Sequence, residues 1–299
     1  MKRFLLRILW LVILVSSIDM LVGLYLKEFP RYEVDTRLEK ILKGQVNKEL
    51  IIMGSSRGAR DLIASEIERL TGYSSYNLSY PGSNLAFHEF ILKNLLSKNK
   101  KPKTLLLTLD SPEGFLANTS LEFRFDRLYP LVSDELVIKT LIERKKKSPL
   151  ALYSNIAKLS KSQIILKQKH FSAVDTILAC GSMPISFQKN GWKPQFDKPQ
   201  KNKRSQINPA LIKSFKEIQR ICRDENIRLI VVFPPNYYAF DAAYEKLVRA
   251  NLMGKTEIYT YQANGVYQDA KYYYDQSHLV TRGALIFSKE VADYLKAAN

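Results

Sequence analysis

"ELIIMGSSRGAR" (residues 49–60) is the stretch that decides the fold. The four apolar residues Leu50–Met53 are too few for a helix and are stopped by Gly54. They predict a short buried strand ending in a turn. A helix is expected next, with Ile63, Ile67 and Leu70 on one face, closed by the turn "TGY" (71–73). "YSSYNL" (73–78) predicts a second, more polar strand running into "SYPGSN". Ser83 or Asn84 then caps a helix whose apolar side holds Phe87, Phe90, Ile91 and Leu95. "NKKPK" breaks that helix, and "TLLLTL" (104–109) predicts a third strand stopping at Asp110. Strand, helix, strand, helix, strand implies a parallel sheet with helices on both faces, a three-layer flavodoxin-like α/β domain.

The rhythm lapses over 113–206. Helical stretches are expected around 133–145 and 149–168, and "QKNGWKPQFDKPQKNKRSQ" (188–206) is expected as a long exposed loop. This stretch predicts a mainly helical inserted cap, with Trp192 exposed as a candidate glycan contact. The alternation resumes at Asn208-Pro209, a cap followed by a first-turn proline. "IRLIVVF" (227–233) and "TEIYTY" (256–261) predict further strands, "AAYEKLVRANL" a helix between them, and residues 283–298 the last helix. Cys222 continues the helical spacing of Leu211, Phe215 and Ile218, which predicts a buried thiol. Pairing with Cys180, the chain's other cysteine, stays open. No Cys/His cluster of metal-binding type occurs, and no cofactor is expected.

The N-terminus reads "MKRFLLRILWLVILVSSIDMLVGLYLK". Residues 8–26 are apolar except Ser16, Ser17 and Asp19, and in a helix they span about 29 Å, the thickness of a hydrocarbon core. No small-x-small cleavage site follows, so residues 1–27 predict an uncleaved anchor with its basic end in the cytoplasm and the remaining chain outside. Residues 28–48 read as a polar connector with helical character after Val34, and 49–299 as the folded body. Asp19 implies either a polar contact on a partner's membrane helix or a carboxyl tilted out near the outer leaflet. The 299-residue chain has 46 Lys+Arg against 29 Asp+Glu; setting aside the anchor's four bases and one acid leaves +14 on the body. That surface suits anionic headgroups, acidic glycans or nucleic acid, and export argues against nucleic acid.

Ligands in an open parallel sheet bind beyond the carboxyl ends of the strands. Gly54-Ser55-Ser56, the turn 79–84 and Asp110-Ser111 lie there. "YYYDQSHLVTRG" (272–283) adds Asp275 and His278. Of the three histidines, His170 falls among lysines and His88 on a core-forming helix, leaving His278 as the candidate base. A serine hydroxyl at these strand ends would be the nucleophile, with Asp275 orienting the imidazole. The N–H groups of Ser56 and Gly82, and the amide of Asn84, are candidate donors to an oxyanion. Arg57 and Arg60 are expected to grip an anionic group or to pair with surface acids.

These residues resemble the SGNH, or GDSL-type, hydrolase superfamily. More narrowly they resemble its membrane-anchored branch, which works beside membrane-bound O-acyltransferases on exported polymers and includes the alginate acetylation proteins and the D-alanyl transfer protein of teichoic acids. Gly54-Ser55-Ser56 matches the first family block, so Ser56 inherits the nucleophile's position. Gly82 matches the second block, and Asp275-Gln276-Ser277-His278 the terminal Asp-x-x-His. The third block departs: "LTLDSPEGF" puts Asp110 where the family has a donor asparagine, and an ionised carboxylate donates nothing. Asp110 is then a candidate substrate-binding residue, and either Asn84 or backbone groups substitute for the donor or ordinary hydrolase activity is weak.

The resemblance implies a serine acyl-enzyme that transfers or removes an acyl group, acetyl in the first instance, on an envelope polysaccharide or glycolipid. It also implies a membrane-bound O-acyltransferase as partner. The alternative is a non-catalytic glycan-binding subunit of such a complex.

Overall fold

In the computed structural model, the residues described are 1–109, 112–117, 119–160, 172–195, 206–238, 241–262 and 265–297. Asp110, part of the expected helix 149–168 and most of the 188–206 loop lie outside them. The chain divides into two compact units: Met1–Leu42 with Arg124–His170, and Lys43–Phe123 with Phe171–Asn299. The stretch 113–206, expected as one insertion, is therefore shared between the two.

The first unit opens with α1 (Lys2–Glu28), a single helix with a mean hydropathy of 2.2 over its most apolar window. Its length and composition suit a signal anchor or a signal sequence. A 3₁₀ turn (Phe29–Tyr32) and α2 (Arg37–Leu42) follow. The helical character expected after Val34 is present as α2, and the segment is packed as well as polar. Leu38 and Ile41 are buried, and so is the ion pair of Arg37 with Asp35 at 2.7 Å. Burial pushes the Asp35 carboxyl up, but the guanidinium groups of Arg37 and Arg127 outweigh it and hold it below its ordinary value. The helix expected around 133–145 is present, as Glu135–Glu143, counted below as α6. Its Asp134 cap accepts from the N–H groups of Leu136 and Val137. Over the described part of the stretch 149–168, Pro149–Leu152 and Ile156–Lys158 are separate 3₁₀ turns and not one helix.

The second unit carries the sheet. Its strands are β1 (Leu50–Met53), β2 (Ser75–Asn77), β3 (Thr104–Thr108), β4 (Arg228–Phe233) and β5 (Glu257–Thr260). All pairs are parallel, in the order β2-β1-β3-β4-β5. This is the predicted α/β arrangement, compatible with an SGNH-like fold. Leu50, Ile52, Leu106, Ile230 and Val232 alternate onto one face, in a cluster with Ile67, Phe287, Val291 and Leu295. There α3 (Ser56–Asp61) and α4 (Ala64–Thr71) pack with α9 (Thr281–Ala297). The alternate strand residues are buried too, and α5 (Leu85–Lys98) packs with α7 (Pro209–Asp224). A further helix, α8 (Ala242–Arg249), follows β4. Burial on both faces explains why β1, β3 and β4 read as unbroken apolar runs.

Caps follow the expected chemistry. Asn84 Oδ1 accepts from the Phe87 N–H, and Asn208 caps α7 ahead of Pro209. The single helix expected after Gly54 is broken at Leu62-Ile63. There Leu62 is extended, and the N–H groups of Ile63 and Ala64 bond to the hydroxyls of Ser288 and Ser182. Those side chains lie more than a hundred positions away, so the break had no local signal. Both cysteines are free, Cys222 buried and Cys180 half-buried.

Candidate active site

β1 lies where the chain order reverses: β2 is added on one side of it and β3 on the other. The crevice beyond such a reversal is where parallel sheets bind ligands. Gly54 makes the tight exit from β1. A Cβ on it would sit 1.8 Å from Thr108 Oγ1, and one on Gly58 would sit 2.5 Å from the same atom. Only glycine allows the turn after β1 and the first turn of α3 to lie this close to the end of β3. Ser56 thus becomes the first residue of α3, where its N–H has no acceptor within the helix.

The structure brings Ser56, His278 and Asp275 together, although Ser56 and His278 are 222 positions apart. Ser56 Oγ lies 2.8 Å from His278 Nε2. His278 Nδ1 lies 2.9 and 3.1 Å from the Asp275 carboxylate oxygens. Burial pushes the Asp275 carboxyl up, but the paired imidazole and the N–H groups of Ser277 and His278 pull it down to about 2. An ionised carboxylate only accepts, so Nδ1 carries the proton and Nε2 offers its lone pair to the Ser56 hydroxyl. That arrangement can remove the hydroxyl proton as oxygen attacks a carbonyl.

The loop 79–84 is tied to the same strand end. The Tyr80 N–H and the Ser83 hydroxyl both bond to the Gly54 carbonyl, at 2.9 and 3.2 Å. Gly82 adopts a left-handed φ of 73°, and its N–H meets no acceptor among the described residues. Asn84 caps α5 through Oδ1 alone, which leaves the amide hydrogens on Nδ2 uncommitted. His88 lies below this loop, 2.8 Å from Ser83 Oγ; burial drives its pKa down to about 3 and keeps the imidazole neutral.

The two arginines are placed differently. Arg57 is only 4% exposed, and its Nη1 donates to the Pro234 carbonyl at 3.2 Å, where it braces the loop after β4. The structure does not bring it to an open rim. Arg60 pairs with Asp175 at 3.4 Å, the second of the two roles expected for it. Asp110 is outside the described residues. No group of three or more His, Cys, Asp or Glu among the described residues could hold a metal ion.

Several supporting residues gave no sequence signal. Asp61, fully buried at the end of α3, accepts the Leu279 N–H at 2.9 Å. The helix that carries the serine therefore also pins the residue after His278. Asn77 Nδ2 donates to the carbonyls of Gly58 and Leu62 and fixes α3 against β2. Gln276 donates to the carbonyls of Tyr237 and Gln195 and accepts from Trp192 Nε1. Trp192 is consequently not exposed: its ring packs edge-on against Tyr237, 5.6 Å between centroids. Residues 188–195 brace the histidine loop instead of forming a free strip. A side chain that stabilises by one contact across the chain leaves no periodic or motif trace.

Fold and site together define the class: a parallel α/β domain with a hydrogen-bonded Ser-His-Asp relay at the end of its first strand. No family model matches the chain, and no curated protein matches it.

Proposed function

We propose that this protein is a membrane-anchored, extracytoplasmic serine acyltransferase or esterase of SGNH type, acting on an envelope polysaccharide or glycolipid. The observation that carries this reading is the 2.8 Å approach of Ser56 Oγ to an imidazole whose other nitrogen is held by Asp275. Ser56 attacks the acyl carbonyl while His278 takes its proton. The Ser56 and Gly82 N–H groups, with the Asn84 amide, supply donors for the oxyanion. Collapse breaks the bond to the leaving group, which takes the proton back from His278 and leaves acyl-Ser56. An acceptor hydroxyl then enters, gives its proton to His278 and attacks the acyl carbon. As the tetrahedral adduct collapses, the bond from the acyl carbon to Ser56 Oγ breaks, His278 returns the proton to Oγ and the new ester is released. Water in the acceptor's place gives the esterase.

A membrane-bound O-acyltransferase is the proposed donor-side partner, and the basic body suits an anionic glycan or glycolipid. A fluorophosphonate probe tests the mechanism. Stoichiometric labelling at Ser56 is expected in the native chain, with loss of labelling and of acyl transfer in Ser56→Ala and His278→Ala. Unlabelled Ser56 in folded protein would reject it. It would favour instead a non-catalytic glycan-binding subunit, the reading to which Asp110 in the third block points.

A further inference from the structure

Asp19 sits inside the apolar helix α1, where an unpaired carboxylate is costly. It is neither left for a partner's helix nor turned out into water. Its oxygens accept from the Ser154 hydroxyl at 2.7 Å, from the backbone N–H groups of Asn155 and Ile156 at 3.1 and 3.0 Å, and from Asn155 Nδ2 at 3.1 Å. Gly23, one turn further on, makes room: a Cβ there would lie 2.7 Å from Asn155 Nδ2. The arrangement serves both sides, since backbone N–H groups at membrane depth need acceptors as much as the carboxylate needs donors.

The clip fixes a loop at a definite height on α1. Within the apolar span 8–26, about 29 Å long, Asp19 falls in the outer-leaflet half, about 12 Å along the axis before Lys27. The residues around the clip are apolar and bare. Leu150 is 67% exposed, Leu152 41%, Tyr153 86% and Ile156 42%. Directly before them the exposed run Arg144-Lys145-Lys146 supplies positive charge. An apolar tip with an aromatic residue and a basic flank is the composition that enters an anionic lipid interface.

We infer that the turns at 149–158 form a second membrane contact, sunk into the outer-leaflet interface beside α1 and held there by Asp19. The occupant of this face is lipid, because the face continues the lipid-suited surface of α1 within one compact unit and carries the charge that anionic headgroups attract. The inference rests on α1 being a retained anchor.

Tryptophan quenching separates the two. The full chain is reconstituted into phosphatidylcholine vesicles containing phosphatidylglycerol, with lipids brominated near the glycerol end of the acyl chain. Trp10→Phe leaves only Trp192, which sets the background. Tyr153→Trp in that background should be quenched at least about twofold more strongly than the background, as expected for an indole at the interface. The exposed Tyr153 site makes folding of this variant a minor concern, and unchanged circular dichroism checks it. Wild-type chain quenched through Trp10, while the Tyr153→Trp variant stays at background, would overturn the inference and keep the anchor; this is also the result if a protein partner covers the face. No excess quenching at either position would overturn both.

Discussion

At the residue scale, the Asp275 carboxyl links the stability of the fold to pH. Its folded pKa of about 2 lies below the ordinary 3.8, so its ionised form is favoured by the fold. The contribution is therefore present above about pH 4 and is lost as pH falls toward 2. With the side chain 26% exposed it amounts to about 2 kcal/mol. Asp275→Asn should flatten the fall in stability between those pH values, followed by circular dichroism during denaturation of detergent-solubilised protein. An unchanged pH profile would show that the carboxylate is not held as described. Asp275 and His278 were legible before the fold because a loop Asp-x-x-His is a chemical pattern. Asp61, which pins the next residue, was not, because a single aspartate in "SSRGARD" carries no pattern.

At the element scale, the turn from β1 into α3 matters most, and its glycine is explained by a neighbouring strand. Gly54→Ala would drive a methyl group into Thr108, so a destabilisation of about 1–3 kcal/mol is expected. Gly265→Ala, which meets nothing within 4 Å, should stay within about 0.5 kcal/mol. Denaturant titration of the two variants compares them, and equal midpoints would refute the steric account. Strands β1, β3 and β4, and α7 with its Asn208-Pro209 start, were legible because their signals are local: apolar runs, a stop residue, a cap. The break between α3 and α4 was not, since its donors end on Ser182 and Ser288. Nor were the short turns of 149–158, where the apolar residues that read as a helix face are exposed instead.

At the scale of the whole molecule, burial decides which thiol reacts. Cys222 lies under α7 on the stripe Leu211, Phe215 and Ile218, and burial pushes its thiol up to about 12. Cys180 is half-buried. Burial alone would raise its pKa, but hydrogen bonds from Ser182 and Ser65 bring it below its ordinary value. Only the thiolate alkylates readily. Iodoacetamide near neutral pH should therefore modify Cys180 in the native chain and reach Cys222 only after unfolding. Equal modification of both in folded protein would contradict the packing of α7.

The parallel α/β class and the apolar N-terminal helix followed from the sequence alone, because each rests on neighbours within a few positions, and short motifs there named Ser56, Asp275 and His278 as candidates. Tertiary structure alone decided that Arg57 is a buried brace, that Trp192 shields the histidine loop and that Asp19 is satisfied by residues 154–156. It also decided that a hydroxyl and an imidazole 222 positions apart meet at hydrogen-bond distance. Those outcomes depend on which distant surfaces pack together. Hydrophobic periodicity specifies that a face is buried, but it does not name the residue that will be waiting on the other side.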